Sequence, residues 1–401
     1  MKFATIVPLI GGMTIAPKKV LGNDPEFFLS YKPFAENEKT LKHNFPNVPH
    51  YLLDTPDREG FDASKHQDLD FVTALCPCAG LSLLSAGSLE HRTMMNQWML
   101  NSARLVLSEV KPRVFWGENA PALYTNRGKE VRKELYDIAK ANGYSMSLYY
   151  TNTMLHGIPQ SRKRSFYFFW RDTNVPTFEY FKKPERQLGE YLNEVPKDAL
   201  HHKDSDIKDM TEKLMKDPFI QFLQSKYNGK GIEAMRKWLN EANKNGSTMN
   251  SYMIRSEQLA ESNQWFLENG FDRHYRDTKR IMGKIADKKG FWDGSWPMYR
   301  ADGIFSALIG RTFYAIHPTE NRLLTLRECM HLMGLPHNFE FVGNNYNAVC
   351  QNVPICTASD MTREVIATLE GKRPMTMNRF MMQNNMNEKI DYAENSLLSN
   401  D

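Results

Sequence analysis

Cys78 is the cysteine best placed in this sequence to act as a nucleophile. It follows Pro77 at the end of an apolar run, residues 70–75, and opens a loop of small residues. A thiol at such a strand end can ionise and attack an electrophilic carbon. A lone cysteine is more often a small buried residue, so Cys78 needs supporting residues. Cys76, closer to the strand end, is expected to pack in the core.

Glu118 is a second residue that could do chemistry. It follows a short aromatic run, residues 114–116, and precedes Asn119. A carboxyl group at the end of a strand can donate a proton as a general acid. The alternative interpretation is an ordinary surface or capping carboxylate.

Two arginines, Arg162 and Arg164, alternate where the chain enters an apolar run, residues 165–170. Alternation in a strand puts both guanidinium groups on one face. That arrangement suits a phosphate or the edge of a base. A solvated basic edge strand would have the same pattern.

A late segment, residues 322–339, contains a helix-start signal. Thr325 stands three residues before Glu328, which is the spacing of a capping box. The pattern predicts a helix that begins at this point, and by itself it predicts nothing more.

Alternating strands and helices must position these residues. The predicted strands are residues 3–10, 70–75, 114–116, 144–150 and 165–170. The predicted helices between them are residues 94–110 and 131–141. This alternation indicates an α/β fold with an open, mostly parallel sheet, whose ligands bind beyond the carboxyl ends of the strands. Gly11-Gly12, Cys78 and Glu118 each follow a predicted strand.

Composition narrows the class of protein. With 401 residues, 41% of them hydrophobic and 24% charged, the chain is expected to form two or three folded domains rather than a disordered polymer. The net charge of +4 is compatible with a polyanionic partner. Five cysteines without zinc-site spacing predict no metal site and a reduced, cytoplasmic protein. No stretch is apolar enough to predict a membrane span.

The order of four motifs carries more information than any one of them. They are Pro77-Cys78 with Ser82, Glu118-Asn119, Gln160-x-Arg162-x-Arg164, and the run from Arg322 to Pro336. This series resembles that of the cytosine-C5 DNA methyltransferase family over residues 1–170 and 292–369. The resemblance implies a Rossmann-like fold dependent on S-adenosylmethionine, with a mostly parallel sheet and a smaller target recognition domain.

The resemblance also implies a domain plan. Residues 1–172 form the first part of the catalytic domain, residues 173–291 the target recognition domain, and residues 292–372 return to the catalytic domain. Residues 373–401, rich in Met and Asn, are expected to form a flexible tail. The lysine-rich middle segment is large enough to read sequence in a DNA major groove.

By resemblance, four residues are catalytic. Cys78 would attack C6 of a cytosine, and Glu118 would hold N3 and share a proton with it. Arg162 and Arg164 would position the base and the catalytic loop, with Arg164 closer to the base. The methyl group comes from S-adenosylmethionine, and the target base must leave the stack of double-stranded DNA.

Cofactor-binding positions follow from the same resemblance. They are Ile10, Gly11, Gly12, Glu36, Asp54, Pro77, Gln351 and Val353. Glu36 would hold the ribose hydroxyls and Asp54 would lie near the adenine. The chain departs from the family pattern at five positions: Val7 replaces Phe, Leu9 replaces Gly, Ala79 replaces Gln, and Cys350 and Gln351 replace Gly-Asn.

Three functions remain open at this point. The first is a monomeric DNA cytosine-C5 methyltransferase of the kind found in restriction–modification systems. The second is the same chemistry on tRNA or another RNA. The third is a DNA-binding relative with impaired catalysis, motivated by the departures at Val7, Leu9, Cys350 and Gln351.

Overall fold

The chain folds into two units. The computed structural model describes residues 1–54, 60–77, 80–81, 89–202, 211–244, 257–287, 296–308, 315–343 and 347–386. The first unit comprises Met1–Glu185 and Met333–Asp401, and the second comprises Arg186–Leu332. Among the described residues, no helix is long and apolar enough to span a bilayer.

An eight-stranded sheet forms the centre of the first unit. Its strands are β1 (Phe3–Ile6), β2 (Phe28–Tyr31), β3 (His50–Leu53), β4 (Phe71–Ala74), β5 (Val114–Asn119), β6 (Ser145–Asn152), β7 (Lys163–Trp170) and β8 (Phe380–Asn384). Their order is β8-β6-β7-β5-β4-β1-β2-β3. Only β7 runs antiparallel to its neighbours. The predicted α/β class with a mostly parallel sheet is therefore confirmed.

The helices of the first unit are α1 (Gly12–Leu21), α2 (Glu38–Asn44), α3 (Leu89–Leu105), α4 (Lys129–Ala141), α11 (Asn347–Gln351) and α12 (Ile355–Leu369). A short π-helix, Val106–Val110, continues α3, so the predicted helix over residues 94–110 matches these two segments. Two-residue strands lie at Gln160–Ser161, Val175–Pro176 and Met375–Thr376. Apolar side chains of β1, β4, β5, α3 and α4 are packed in one hydrophobic core.

Helix α1 contains a proline, and a threonine on the sheet compensates for it. Pro17 has no amide hydrogen, so the Met13 carbonyl has no partner in its own helix. Thr73 of β4 donates its hydroxyl to that carbonyl at 3.0 Å. The same hydroxyl oxygen lies 2.9 Å from that of Thr5, which in turn contacts Thr14. This buried network fixes α1, and therefore the loop before it, against the sheet.

The predicted flexible tail is wrong for the part of it that the structure describes. Phe380–Asn384 forms β8, which pairs in parallel with β6. The Phe380 side chain is buried, and the Gln383 side chain accepts a hydrogen bond from the Phe178 amide at 2.8 Å. Backbone pairing with a buried neighbour, rather than composition, decides this segment. Residues 387–401 lie outside the described residues.

The second unit is largely helical. Its helices are α5 (Leu188–Leu192), α6 (Pro218–Lys226), α7 (Gly231–Lys244), α8 (Leu259–Glu268), α9 (Asp272–Ala286) and α10 (Leu326–Leu332), and a two-residue strand lies at Phe305–Ser306. Met298, Ile316 and Leu323 pack into the same core as the helical residues Leu223 and Leu239. The described part of the predicted return segment, up to Leu332, therefore belongs to this unit, and the predicted boundaries at 172 and 292 differ from those observed.

Candidate active site

The carboxyl ends of the parallel strands gather most of the residues selected from the sequence. Strands β3, β2, β1, β4 and β5 are neighbours that run in one direction. Their carboxyl ends therefore share one edge of the sheet. Because β7 is antiparallel to β5, its first residues lie at the same edge. The described residues that follow β1, β2, β3 and β4 start from this edge, where Glu118 and Arg164 also lie.

Glu118 and Arg164 meet at this edge. In the β5–β7 register, Glu118 lies opposite Phe166, which is two residues from Arg164. A shift of two residues keeps a side chain on the same face, so the two charged groups are diagonal neighbours. Arg164 Nε and Glu118 Oε1 form an ion pair, and only 4% of the Glu118 side chain is exposed. The pair therefore supplies a buried carboxyl group held in one orientation.

Arg162 makes a different contact from its neighbour in the motif. Its buried guanidinium group donates from Nη2 to the carbonyl oxygens of Cys350 and Asn352, at 2.9 and 3.1 Å. The sequence analysis expects Arg162 and Arg164 to position the base and the catalytic loop, and for Arg162 this stays a prediction. Its described contacts hold the backbone at the end of α11, so Arg162 is also a positioning residue for that segment.

Asn352 was not selected from the sequence, yet it connects two candidate motifs. Its side-chain oxygen accepts a hydrogen bond from the Gly12 amide at 2.9 Å. A Cβ atom on Gly12 would lie 2.1 Å from that oxygen, so only glycine fits there. The Asn352 Nδ2 atom is buried and has no hydrogen-bond partner among the residues that the structure describes. No local pattern could have revealed this contact, because the two residues are 340 positions apart.

The loop after β1 has an unusual backbone. The sequence predicts a strand through residue 10, but β1 ends at Ile6. Val7, Leu9 and Gly11 all have positive φ, at 49°, 50° and 103°. Left-handed backbone costs a non-glycine residue about 1–2 kcal/mol, and a β-branched residue is especially rare there. The glycine that the family has at position 9 would adopt this conformation without that cost.

The nucleophile loop is described only in part. Cys76 is 2% exposed, and burial raises the pKa of its thiol to about 11. Hydrogen bonds with the hydroxyl groups of Ser102 and Tyr167 act in the opposite direction and lower this pKa. A thiol with this pKa stays protonated near neutral pH. Pro77 is half-buried. Cys78 and Ala79 lie outside the described residues, and the role of Cys78 stays a prediction.

The remaining cofactor candidates differ in exposure. Glu36 is exposed in a short 3₁₀ helix, Lys32–Asn37, that follows β2. Asp54 is exposed directly after β3 and forms an ion pair with Lys32. Gln351 is also exposed, whereas the side chains of Ile10 and Val353 are fully buried. The two carboxylates therefore lie at the expected strand ends, accessible to polar groups of a ligand.

The late motif forms the predicted capping box. Thr325 accepts a hydrogen bond from the Glu328 amide at 3.1 Å, and Glu328 accepts one from the Thr325 amide at 2.7 Å. Arg322 binds both oxygens of the same carboxylate, at 2.9 and 2.8 Å. These contacts lower the pKa of Glu328 against the opposing effect of its burial. This motif is a structural element of the second unit.

His317 beside this motif makes stability depend on pH. Burial lowers its pKa to about 4, and its Nδ1 atom accepts from the amides of Thr319 and Glu320. Since the unfolded chain binds the proton more readily, stability is full above pH 6.5 and is lost as pH falls towards 4. His317→Asn keeps an acceptor but does not titrate. Between about pH 7.5 and pH 5, wild type should lose about 2 kcal/mol more than the variant.

Urea unfolding of both proteins at the two pH values measures this difference. The comparison with the variant removes the common contribution of the acidic groups. Equal losses of unfolding free energy would show that His317 is not held neutral in the folded protein.

In the described part of the chain, no group of three or more His, Cys, Asp or Glu residues could hold a metal ion. The candidate site consists of the Glu118–Arg164 ion pair, the backbone at the end of α11 that Arg162 holds, and the loop after β1 that contains Gly11. Such an arrangement can orient a base through a carboxyl group and hold an organic cofactor at strand ends.

Known proteins resemble the chain over most of its length. DNA (cytosine-5)-methyltransferase 1B of Oryza sativa subsp. japonica is 23% identical over 359 residues, 76% of this chain, which spans only 22% of that enzyme. Type II methyltransferase M.NgoPII of Neisseria gonorrhoeae is 23% identical over 335 residues, covering 82% of this chain and 86% of its own. The first relative is named as a DNA (cytosine-5)-methyltransferase and the second as a type II methyltransferase.

A solved structure agrees in fold. The S. pombe Dnmt2 methyltransferase superimposes with a TM-score of 0.54, covering 92% of this chain and 99% of its own at 12% identity. The family model for C-5 cytosine-specific DNA methylase matches residues 1–367. That match covers the loop after β1, the Glu118–Arg164 pair and the late motif together. The chain belongs to the C-5 cytosine-specific DNA methylase family.

Proposed function

We propose that this protein is an active DNA (cytosine-5)-methyltransferase that uses S-adenosylmethionine and acts on a cytosine flipped out of duplex DNA. The observation that carries the proposal is the buried Glu118–Arg164 ion pair. It lies on the strand next to β4, the strand that leads to Pro77 and Cys78. The family has its nucleophile and its base-binding carboxyl group on these two motifs.

The chemistry needs both groups. The Cys78 thiolate forms a bond to C6 of the cytosine while the carboxyl group of Glu118 shares a proton with N3, and C5 becomes nucleophilic. S-adenosylmethionine supplies the methyl group that C5 takes up. A base then removes the C5 proton, and the electron pair of that bond expels the Cys78 thiolate. Arg164 keeps the Glu118 carboxyl group oriented throughout.

The loop after β1 fits the amino-acid end of the cofactor. Helix α1 begins at Gly12, and its amino-terminal end favours an anionic group. The unpartnered Nδ2 of Asn352 lies beside it as a buried donor. A buried donor without a partner is costly unless a ligand satisfies it. We assign the cofactor carboxylate to this position, with Arg162 holding Asn352 in place, and Glu36 and Asp54 to the ribose and the adenine.

Asn352→Asp tests this assignment. Aspartate keeps the acceptor for the Gly12 amide but replaces the donor by a negative charge. Binding of S-adenosylhomocysteine, which carries the carboxylate, should weaken by about 30-fold or more, since an unpaired buried charge costs at least 2 kcal/mol. Calorimetric titration measures the dissociation constant.

Methylthioadenosine, which lacks the amino acid, is the matched ligand control. Its affinity should change by less than threefold in Asn352→Asp. Equal loss of both ligands would mean that Asn352 only maintains the loop, and no loss of either would remove it from the site.

The function itself is tested by methyl transfer and trapping. Tritiated S-adenosylmethionine should label duplex DNA, and a duplex with 5-fluorocytosine at the target should form a stable covalent adduct. Bisulfite sequencing of DNA from cells that express the protein first identifies the target sequence, and the duplex is then made with that sequence. Failure of labelling and adduct formation on this DNA would contradict the proposal and favour a DNA-binding relative without catalysis.

A further inference from the structure

Helix α9, Asp272–Ala286, exposes a basic stripe that the proposed chemistry does not use. Arg273, Arg276 and Arg280 are exposed, and Lys284 is partly exposed. They occupy relative positions 0, 3, 7 and 11, which on a helix fall within a sector of about 80°. The stripe is about 16 Å long. We define these four residues as the α9 stripe.

The opposite side of α9 holds the helix in the second unit. Thr278 and Ile281 are its buried residues. Asn263 of α8 donates to the Tyr275 carbonyl at 2.8 Å and to the Thr278 hydroxyl at 2.6 Å. Trp265 stacks on Phe271, the residue before α9. These contacts fix the rotation of the helix, so the α9 stripe is presented outward from its own helix pair.

Few carboxylates neutralise the α9 stripe. Asp277 approaches both Arg273 and Arg280, at 3.9 and 3.6 Å, and one carboxylate cannot cancel two guanidinium groups. In the described residues, Arg276 and Lys284 have no carboxylate within ion-pair distance. Uncompensated charge of one sign along a rigid helix indicates a polyanionic partner.

Helix α7 of the same unit shows what an ordinary solvated face looks like. Its exposed residues alternate in sign, with Glu233 followed by Lys237 and Glu241. Lys237 and Glu241 form an ion pair at 3.7 Å. Arg236 is already engaged, because it donates to the carbonyl oxygens of Pro318 and Glu320. The charge of α7 is balanced within the helix and its neighbours, unlike that of the α9 stripe.

We infer that the α9 stripe binds the sugar-phosphate backbone of duplex DNA. The inference rests on the proposed function and adds to it the surface that carries non-specific affinity. A duplex segment of about 16 Å bears roughly ten phosphate charges, enough to engage all four side chains. Contacts of this kind position a protein on DNA without reading its sequence.

The test is the triple variant Arg276→Gln, Arg280→Gln and Lys284→Gln. Glutamine preserves helix propensity, so folding is retained. Binding to a mixed-sequence duplex of about 30 base pairs, three helical turns, is measured by fluorescence anisotropy across a salt series. The slope of log affinity against log salt should fall by about two to three, and affinity at low salt by about 30-fold or more.

A second triple variant removes the same charge elsewhere in the unit: Lys216→Gln, Lys230→Gln and Lys237→Gln. All three lysines are exposed. It should change the slope by less than one unit. Equal effects of the two variants would overturn the inference, because net charge alone would then explain binding. Loss of binding to phosphatidylserine vesicles with unchanged DNA binding would also overturn it.

The two proposals can fail separately. If the α9 variant has a raised KM for DNA and an unchanged kcat at saturating DNA, both stand. If wild type binds DNA with the expected salt slope but never labels it, the proposed function fails and the α9 stripe remains a DNA-binding surface.

Discussion

Cys78→Ser is expected to abolish methyl transfer and to prevent the covalent adduct with 5-fluorocytosine DNA. A serine hydroxyl does not ionise at neutral pH and, without a dedicated base, cannot attack C6. Loss of a covalent nucleophile typically costs 10⁴-fold or more in kcat, about 5 kcal/mol of transition-state stabilisation. Filter binding of tritiated DNA and denaturing electrophoresis of the adduct measure the two effects.

Cys76→Ser is the matched control for this prediction. Cys76 is two residues away but buried, and burial raises its pKa to about 11. Serine can keep the contacts with the hydroxyl groups of Ser102 and Tyr167, so activity should remain within threefold of wild type. An adduct formed by Cys78→Ser but not by Cys76→Ser would reverse the assignment of the nucleophile.

The fold class could be predicted because several strands and helices have clear signals in the local sequence. The apolar runs at β4 and β5 and the helix ending before Asn142-Gly143 carry ordinary propensity signals. Strands β2 and β3 were not predicted from the sequence. Strand β8 was missed because it is stabilised by pairing with β6, more than 200 positions earlier.

In the candidate site, too, residues with a local signal could be selected from the sequence, whereas contacts between distant residues could not. Glu118 and Arg164 could each be selected from the sequence, although the antiparallel direction of β7 is what brings them to one edge of the sheet. The links from Arg162 to Asn352 and from Asn352 to Gly12 could not, because they join residues 190 and 340 positions apart. The end of β1 at Ile6 also could not be predicted from the local pattern. Val7 is apolar and β-branched, as strand residues often are, yet its backbone is left-handed in the loop.

Glu118→Gln is expected to lower kcat by about 10² to 10⁴-fold, the usual contribution of a general acid. The amide keeps the size of the side chain and an oxygen beside Arg164, but it cannot share a proton with N3. Because protonation at N3 promotes attack at C6, adduct formation should slow by the same factor as methyl transfer. Single-turnover rates of both reactions are the measurement.

Glu134→Gln is the matched control, because it removes a Glu–Arg ion pair that has no part in the proposed chemistry. Glu134 binds Arg104 at 2.5 Å with both side chains 43% exposed, and a pair of this kind contributes little. Its kcat should match wild type, whereas Glu118→Asp should recover part of the rate lost in Glu118→Gln, because it retains the carboxyl group. If Glu118→Asp and Glu118→Gln were equally slow while thermal unfolding showed both destabilised, Glu118 would serve to hold Arg164 rather than the base.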